Sequence, residues 1–156
     1  RSRDYSWTMF RYYCLYSKSL FYFKRKKENE MTIEAINAKN APRAVGPYSH
    51  AVRVGNLAFL SGQIPLNPQT MALVDGDIEA QTRQVFANLQ AVLEAMDGSF
   101  KNVVKLTIFL TDLNTFAKVN DVMMEFINPP YPARVTIGVK ELPIGASVEI
   151  DAVLAF

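Results

Sequence analysis

A chain of 156 residues that is 49% hydrophobic has the length of one domain and the apolar content for one packed core. Its formal charge is +2, and it carries a single cysteine, Cys14, and a single histidine, His50. Those counts exclude a disulfide framework within the chain and leave no Cys/His set for a zinc site and no Ser-His triad beyond His50 itself, so the expected chemistry uses neither thiol nor metal.

Residues 1–30 differ in kind from residues 31–156. They hold eight Lys and Arg against three Asp and Glu, for +5, and nine of the 18 aromatic residues, among them Tyr5, Trp7, Phe10, Tyr12, Tyr13 and Tyr16. Residues 31–156 hold nine basic against 12 acidic residues, for −3. A basic leader with interleaved aromatics has three readings: an RNA contact, a membrane-surface contact, or an upstream extension without a selected role. Its longest apolar run, Leu20 to Phe23, is too short for a secretory signal and is followed rather than preceded by Lys24 to Lys27. Nor can it span a bilayer. The extension is the expected reading, with a cytoplasmic location and no membrane partner, and Met31 is read as the start of the domain.

From Met31 the pattern reads β, β, β, α, β, α, β, β. Thr32 to Ile36 is an edge strand, and Asn37 to Gly46 is a polar connection containing Pro42. Ser49 to Val54 and Leu57 to Ser61 form a hairpin turned at Gly55-Asn56, and Gly62 and Pro65 end regular pairing. After a long loop, Asp77 stands where an N-cap belongs, and Ile78, Thr82, Val85, Leu89, Val92, Leu93 and Met96 recur at helical spacing until Asp97-Gly98. Val103 to Thr111 alternates, with Val104, Leu106, Ile108 and Leu110 on one face. Asn114 caps a second helix with Phe116, Val119, Met123 and Phe126 on its apolar side, and Pro129, Pro130 and Pro132 end it.

Two strands remain. In Ala133 to Val139 the apolar residues Val135, Ile137 and Val139 send Arg134 and Thr136 to the opposite face. In Ser147 to Leu154, Val148, Ile150 and Leu154 send Glu149 and Asp151 away from the core. Two helices cover one side of a sheet, so the face carrying these charges meets water or another subunit.

Six segments, Gly46-Pro47-Tyr48-Ser49, Ser61-Gly62-Gln63-Ile64-Pro65, Thr111-Asp112-Leu113, Phe116 to Asn120, Pro132-Ala133-Arg134, and Leu142-Pro143 through Val148-Glu149-Ile150-Asp151-Ala152, resemble the RidA/YjgF family in order and spacing. The match runs from Thr32 to Phe156 and leaves the leader outside. The resemblance implies an α+β chorismate mutase-like fold, a mixed sheet with two helices on one face, and a homotrimer with clefts between neighbours. It also implies hydrolysis of 2-aminoacrylate and related enamines or imines to 2-oxo acids and ammonia, without a cofactor.

The resemblance implies that Arg134 binds the carboxylate of a small substrate, a task that suits the paired donors of a planar guanidinium. Without it, an ion pair of Arg134 with Glu149 or Asp151 is an equal reading. Glu149 is implied as the acid/base beside Arg134, against the alternative of a solvated strand glutamate, and backbone carbonyls can share in holding the water. Tyr48 and Ser61 are implied as cleft residues, although Tyr48 also suits packing on a turn. Asn120 shares a helical face with Phe116 and Met123, so its amide needs either backbone partners or the cleft. Thr136 stands where some members have cysteine, and the Asn120-to-Arg134 connection is shorter than in several members. Competing functions are a sensor of 2-oxo acids without turnover, and translation inhibition or RNA cleavage. The −3 charge and the missing catalytic histidine argue against nucleic acid as a partner of the domain. A chain starting at Met31 is expected to keep fold and activity; loss of either on truncation, read by circular dichroism and turnover, would make the leader structural.

Overall fold

A computed structural model describes residues 32–156, so the readings of the leader over residues 1–30 lie outside the described residues. The elements come in the expected order: β1 (Ile33–Ile36), β2 (Ala51–Val54), β3 (Leu57–Gln63), α1 (Ile78–Glu94), β4 (Val103–Leu110), α2 (Phe116–Phe126), β5 (Ala133–Gly138) and β6 (Val148–Ala155). All six strands join one sheet in the order β1-β2-β3-β6-β4-β5. Only the β4–β5 pair is parallel, and α2 makes the crossover that a parallel pair needs.

Local chemistry accounts for α1. The Asp77 side chain accepts from the Ala80 N–H at 3.0 Å, and this bond holds its carboxyl below the usual range. At the other end Asp97 takes a left-handed φ of 56° and the Gly98 N–H returns to the Leu93 carbonyl at 2.9 Å, the stop expected there. The buried face of α1, with Phe86, Leu89 and Leu93, packs on the sheet residues Leu106, Ile108, Ile150 and Leu154. Helix α2 adds Val119, Val122 and Met123 to the same core, and Phe86 stacks on Phe126 at 5.1 Å. Arg83 and Glu125 join the two helices by an exposed two-pronged pair, a clip of small energetic weight.

Four expectations need correction. Strand β3 does not stop at Ser61 but continues to Gln63, with its pairing to β6 interrupted between Leu60 and Gln63. The pairing of β4 with β6 slips between Val103 and Lys105, so Val103 fills the core and Val104 is exposed. Asn114 does not cap α2: Asp112 accepts from the Asn114 N–H at 2.9 Å and caps a short 3-10 turn, Leu113–Thr115, that leads into the helix. The fourth concerns β5. Its register sets Arg134 opposite Leu106 and Thr136 opposite Ile108, so Arg134 and Thr136 share the helix-covered face.

Val135 and Ile137 consequently face the open side of the sheet, where both are exposed together with Leu57 and Phe59. Apolar alternation in a strand points to a core, but this sheet has a second apolar surface. Strand β6 agrees with expectation, with Val148, Ile150 and Leu154 buried and Glu149 and Asp151 on the open face.

One buried amide ties α1 to the segment leaving β3. Asn88 donates to the carbonyls of Ile64 at 3.1 Å and Leu66 at 2.9 Å, and accepts from Gln84 at 2.9 Å. Asn88→Leu strands those carbonyls, and we expect a loss of about 1–3 kcal/mol, read as a lower urea midpoint at unchanged m.

Candidate functional site

The residues singled out in the sequence fall into two clefts. The first, about 760 Å³, lies between the loop before β2, the end of β3, the turn Pro143–Gly145 and the start of β6. Tyr48, Ser61 and Glu149 all line it. Buried hydrogen bonds fix its frame. His50 Nδ1 accepts from the Ala38 N–H at 2.9 Å, which leaves the ring proton on Nε2 to donate to the Pro42 carbonyl at 2.8 Å. The lone histidine is thus a staple between backbone segments. The Ser61 hydroxyl donates to the Ser49 carbonyl at 2.6 Å, so its proton is committed and it can offer a ligand only an acceptor. Tyr48 is half-exposed at the rim, after a turn closed by its own N–H on the Gly46 carbonyl at 2.9 Å.

Glu149 is the titratable group of this cleft. Partial burial raises its carboxyl above the usual range, and the charge of Asp151, two residues along on the same face, raises it further. Room for the carboxylate comes from Gly62, where a Cβ would collide with Glu149 Oε1 and lie 2.9 Å from its Cδ. Sequence reasoning misses this role because it reads Gly62 as the end of a strand. A glycine inside a strand also marks a close approach, and that is the signal the sequence offers.

The second cleft, about 560 Å³, is lined by Asn120, Met123, Tyr131 and Arg134. Arg134 Nη1 donates to Asn120 Oδ1 at 2.6 Å and lies 3.5 Å from Met123 Sδ, while its guanidinium carbon sits 5.1 Å from the centre of the Phe116 ring. Among the described residues the one ion pair is Arg83–Glu125, so the reading of Arg134 as paired with Glu149 or Asp151 is overturned. Asn120 finds its partner in Arg134 itself. The guanidinium is held in place by neutral groups.

Arg134 and Glu149 are therefore not neighbours within one chain. Glu149 pairs with Phe109, which pairs with Ile137, three residues beyond Arg134. The two lie about 10 Å apart across the sheet and about 10 Å apart along it, on opposite faces. Among the described residues no group of three or more His, Cys, Asp or Glu could hold a metal, and no helix is long and apolar enough to cross a membrane.

Comparison with known proteins fixes the class. The family model described as Endoribonuclease L-PSP matches residues 38–156, and the chain belongs to this RidA/YjgF family. A 2-iminobutanoate/2-iminopropanoate deaminase of Dermatophagoides farinae is 47% identical over 119 residues, covering 76% of this chain and 93% of that protein. The crystal structure of RidA from an Antarctic Psychrobacter is 46% identical with a TM-score of 0.76, covering 79% of this chain and 99% of that one. TdcF from E. coli, solved with bound serine, is 36% identical with a TM-score of 0.75, covering 79% of this chain and 98% of that one. The α+β fold, a mixed sheet with two helices, is that of these neighbours.

The raised carboxyl of Glu149 has a consequence for stability. Folding favours its protonated form, so the stability it contributes is present below the ordinary glutamate value near ~4.3 and is lost as pH rises through the higher folded value. The ionised group is a liability at neutral pH. Glu149→Gln should raise the thermal midpoint at pH 7, and the gain should vanish below about pH 4 in a series of melts.

Proposed function

We propose that the chain hydrolyses short-lived enamines and imines, such as 2-aminoacrylate, to 2-oxo acids and ammonia, as a homotrimer in which neighbouring subunits each supply half of a site. The observation that carries this reading is the division of the machinery. A fixed guanidinium with no carboxylate partner among the described residues lines one cleft, and a carboxyl raised above its ordinary range by burial lines another, on opposite faces of one sheet. Each half lacks what the other has. The exposed apolar residues Leu57, Phe59, Val135 and Ile137 give the open face a reason to be covered, and a copy seated there can bring its Arg134 to its neighbour's Glu149. The named deaminase among the relatives supports the same chemistry.

In this reading Arg134 grips the substrate carboxylate with the donors that Asn120 leaves free, and Phe116 backs the guanidinium. An enamine first tautomerises, gaining a proton at carbon and losing one from nitrogen, to become the imine. Glu149 then takes a proton from water as the water oxygen adds to the imine carbon, and passes it to nitrogen to give a carbinolamine. The same carboxylate moves the hydroxyl proton to the amino group as the C–N bond breaks, which leaves a 2-oxo acid and ammonia. A carboxyl raised by burial holds a proton more readily than a solvated one, which favours the return of the proton to nitrogen.

Arg134→Lys keeps charge but loses paired donors, so pyruvate binding should weaken about tenfold to a hundredfold, whereas Glu149→Gln should keep binding and lose about 10² in turnover. Mixing the two variants at a substrate concentration too low for Arg134→Lys to bind, and reassembling them, tests the shared site directly. A wild-type Arg134 then meets a wild-type Glu149 at about one site in four, so roughly a quarter of the parent turnover of 2-aminoacrylate should return. No recovery, parent rates in both single variants, or a stable monomer at micromolar concentration by sedimentation would each defeat the reading.

A further inference from the structure

A third cleft, about 500 Å³, opens beside the start of β4, between the 3-10 turn Phe100–Asn102 and the segment that leaves α2. Its floor is apolar. Phe100 and Phe126 line it half-buried, with ring centres 5.9 Å apart at an angle of 65°, and the buried residues Val103 and Ile127 complete the surface. Phe86, fully buried, stacks on Phe126 at 5.1 Å and lies 5.9 Å from Phe100, so both rings are fixed from the core side.

Local bonds set the two walls. Asn102 accepts from the Ser99 N–H at 3.0 Å and donates to the Ala155 carbonyl at 3.1 Å, which ties the turn to β6. Opposite, the Ile127 N–H closes α2 on the Met123 carbonyl at 3.0 Å, and Pro129 and Pro130 follow with restricted φ and no N–H to offer. The second wall therefore presents rings rather than donors. Polarity is confined to the rim. Among the described residues that line the cleft Lys101 alone is charged, and it is exposed and enters no ion pair with another described residue. Ser99 Oγ accepts from the Lys101 N–H at 3.3 Å and keeps its own proton to donate, and the exposed Asn128 amide adds further donors. A cation and neutral donors at the mouth of an aromatic floor complement an anion carried on a flat apolar group. A lining without a carboxylate gives an amine no partner.

We propose that this cleft is a second ligand site, for small aromatic monocarboxylates, with the ring on Phe100 and Phe126 and the carboxylate at Lys101. Its volume lies within the range of small-molecule sites. It shares no lining residue with the Glu149 cleft or the Arg134 cleft. The segment between α2 and β5 divides it from the latter: Asn128, Pro129 and Pro130 line this cleft, and Tyr131 and Pro132 line the other. The site stands whether or not the chain hydrolyses imines.

The test adds 3-phenylpropanoate to the full chain, with isoleucine, valine and methionine methyl groups labelled, and follows it by NMR. The methyls of Ile127 and Val103 should shift and saturate, while those of Met124 in the Arg134 cleft and Ile144 in the Glu149 cleft stay in place. Hexanoate should bind more weakly than the aromatic acid, and 3-phenylpropan-1-amine, which reverses the charge on the same ring, more weakly still. Lys101→Glu and, independently, Asn128→Asp each bring negative charge to the rim and should weaken the acid several-fold. Saturating pyruvate should leave its affinity unchanged, and so should Arg134→Lys. Shifts confined to Met124 or Ile144, displacement by pyruvate, or loss of binding in Arg134→Lys would overturn the proposal and move the acid to a cleft already described. Equal binding of the amine or of hexanoate, undiminished binding by both rim variants, or no saturable shift at millimolar acid overturns it as well.

Discussion

The register of β5 on β4 governs what this chain can do. With Leu106 opposite Arg134, the guanidinium emerges at the margin of the helix-covered face, where α2 presents Asn120, Met123 and Phe116 as its seat. A slip of one residue would turn Arg134 onto the face that carries Glu149 and Asp151. A cation there would oppose the rise of the Glu149 carboxyl. The observed register keeps the two charges apart, so among the described residues the arginine has no carboxylate partner and the Glu149 carboxyl stays raised. One subunit thus keeps its two charged groups on separate faces.

The same separation explains why the open sheet face is mixed in character. Val135, Ile137, Phe59 and Leu57 are exposed on it beside Glu149 and Asp151. In the proposed trimer, covering this face removes apolar area from water and also strips water from the carboxylates. The first effect favours association and the second opposes it unless a cation arrives with the neighbour. Arg134 of an adjacent copy is such a cation, and a substrate carboxylate then partly neutralises it. In that reading, assembly and substrate binding would be coupled through one charge balance.

Much of the frame was legible in the sequence because single residues carry it. Asp77 caps α1, Gly55 turns the hairpin at a φ of 58°, and the alternation in β6 sorts Val148, Ile150 and Leu154 from Glu149 and Asp151 as expected. Strand β5 misled because alternation reports two faces without saying which is covered. Val135 and Ile137 are as apolar as any core pair, and the partner register alone assigns Arg134 its side. The slip at Val104 and the cap at Asp112 depend likewise on pairing and on backbone donors that composition does not reveal. The chosen site residues do gather, but as two groups, since the spacing of motifs along a chain carries no information on which face of a sheet each one occupies.

Buried polarity in this chain is placed to hold a cleft rather than to hold the core. Among the described residues four polar side chains are buried: His50, Gln63, Thr82 and Asn88. Thr82 bonds within its own helix, to the Ile78 carbonyl. The other three bond to backbone around the Glu149 cleft: His50 to Ala38 and Pro42, Gln63 to the Ser61 carbonyl, and Asn88 to Ile64 and Leu66. Gln81 adds the Ser147 N–H at the start of β6. Such bonds contribute modestly as net stability, but losing one strands a backbone group, so each loop is held strongly against displacement. In the proposed function, a cleft whose frame is set in advance would place Glu149 before the substrate arrives, leaving the residual ordering to the substrate alone.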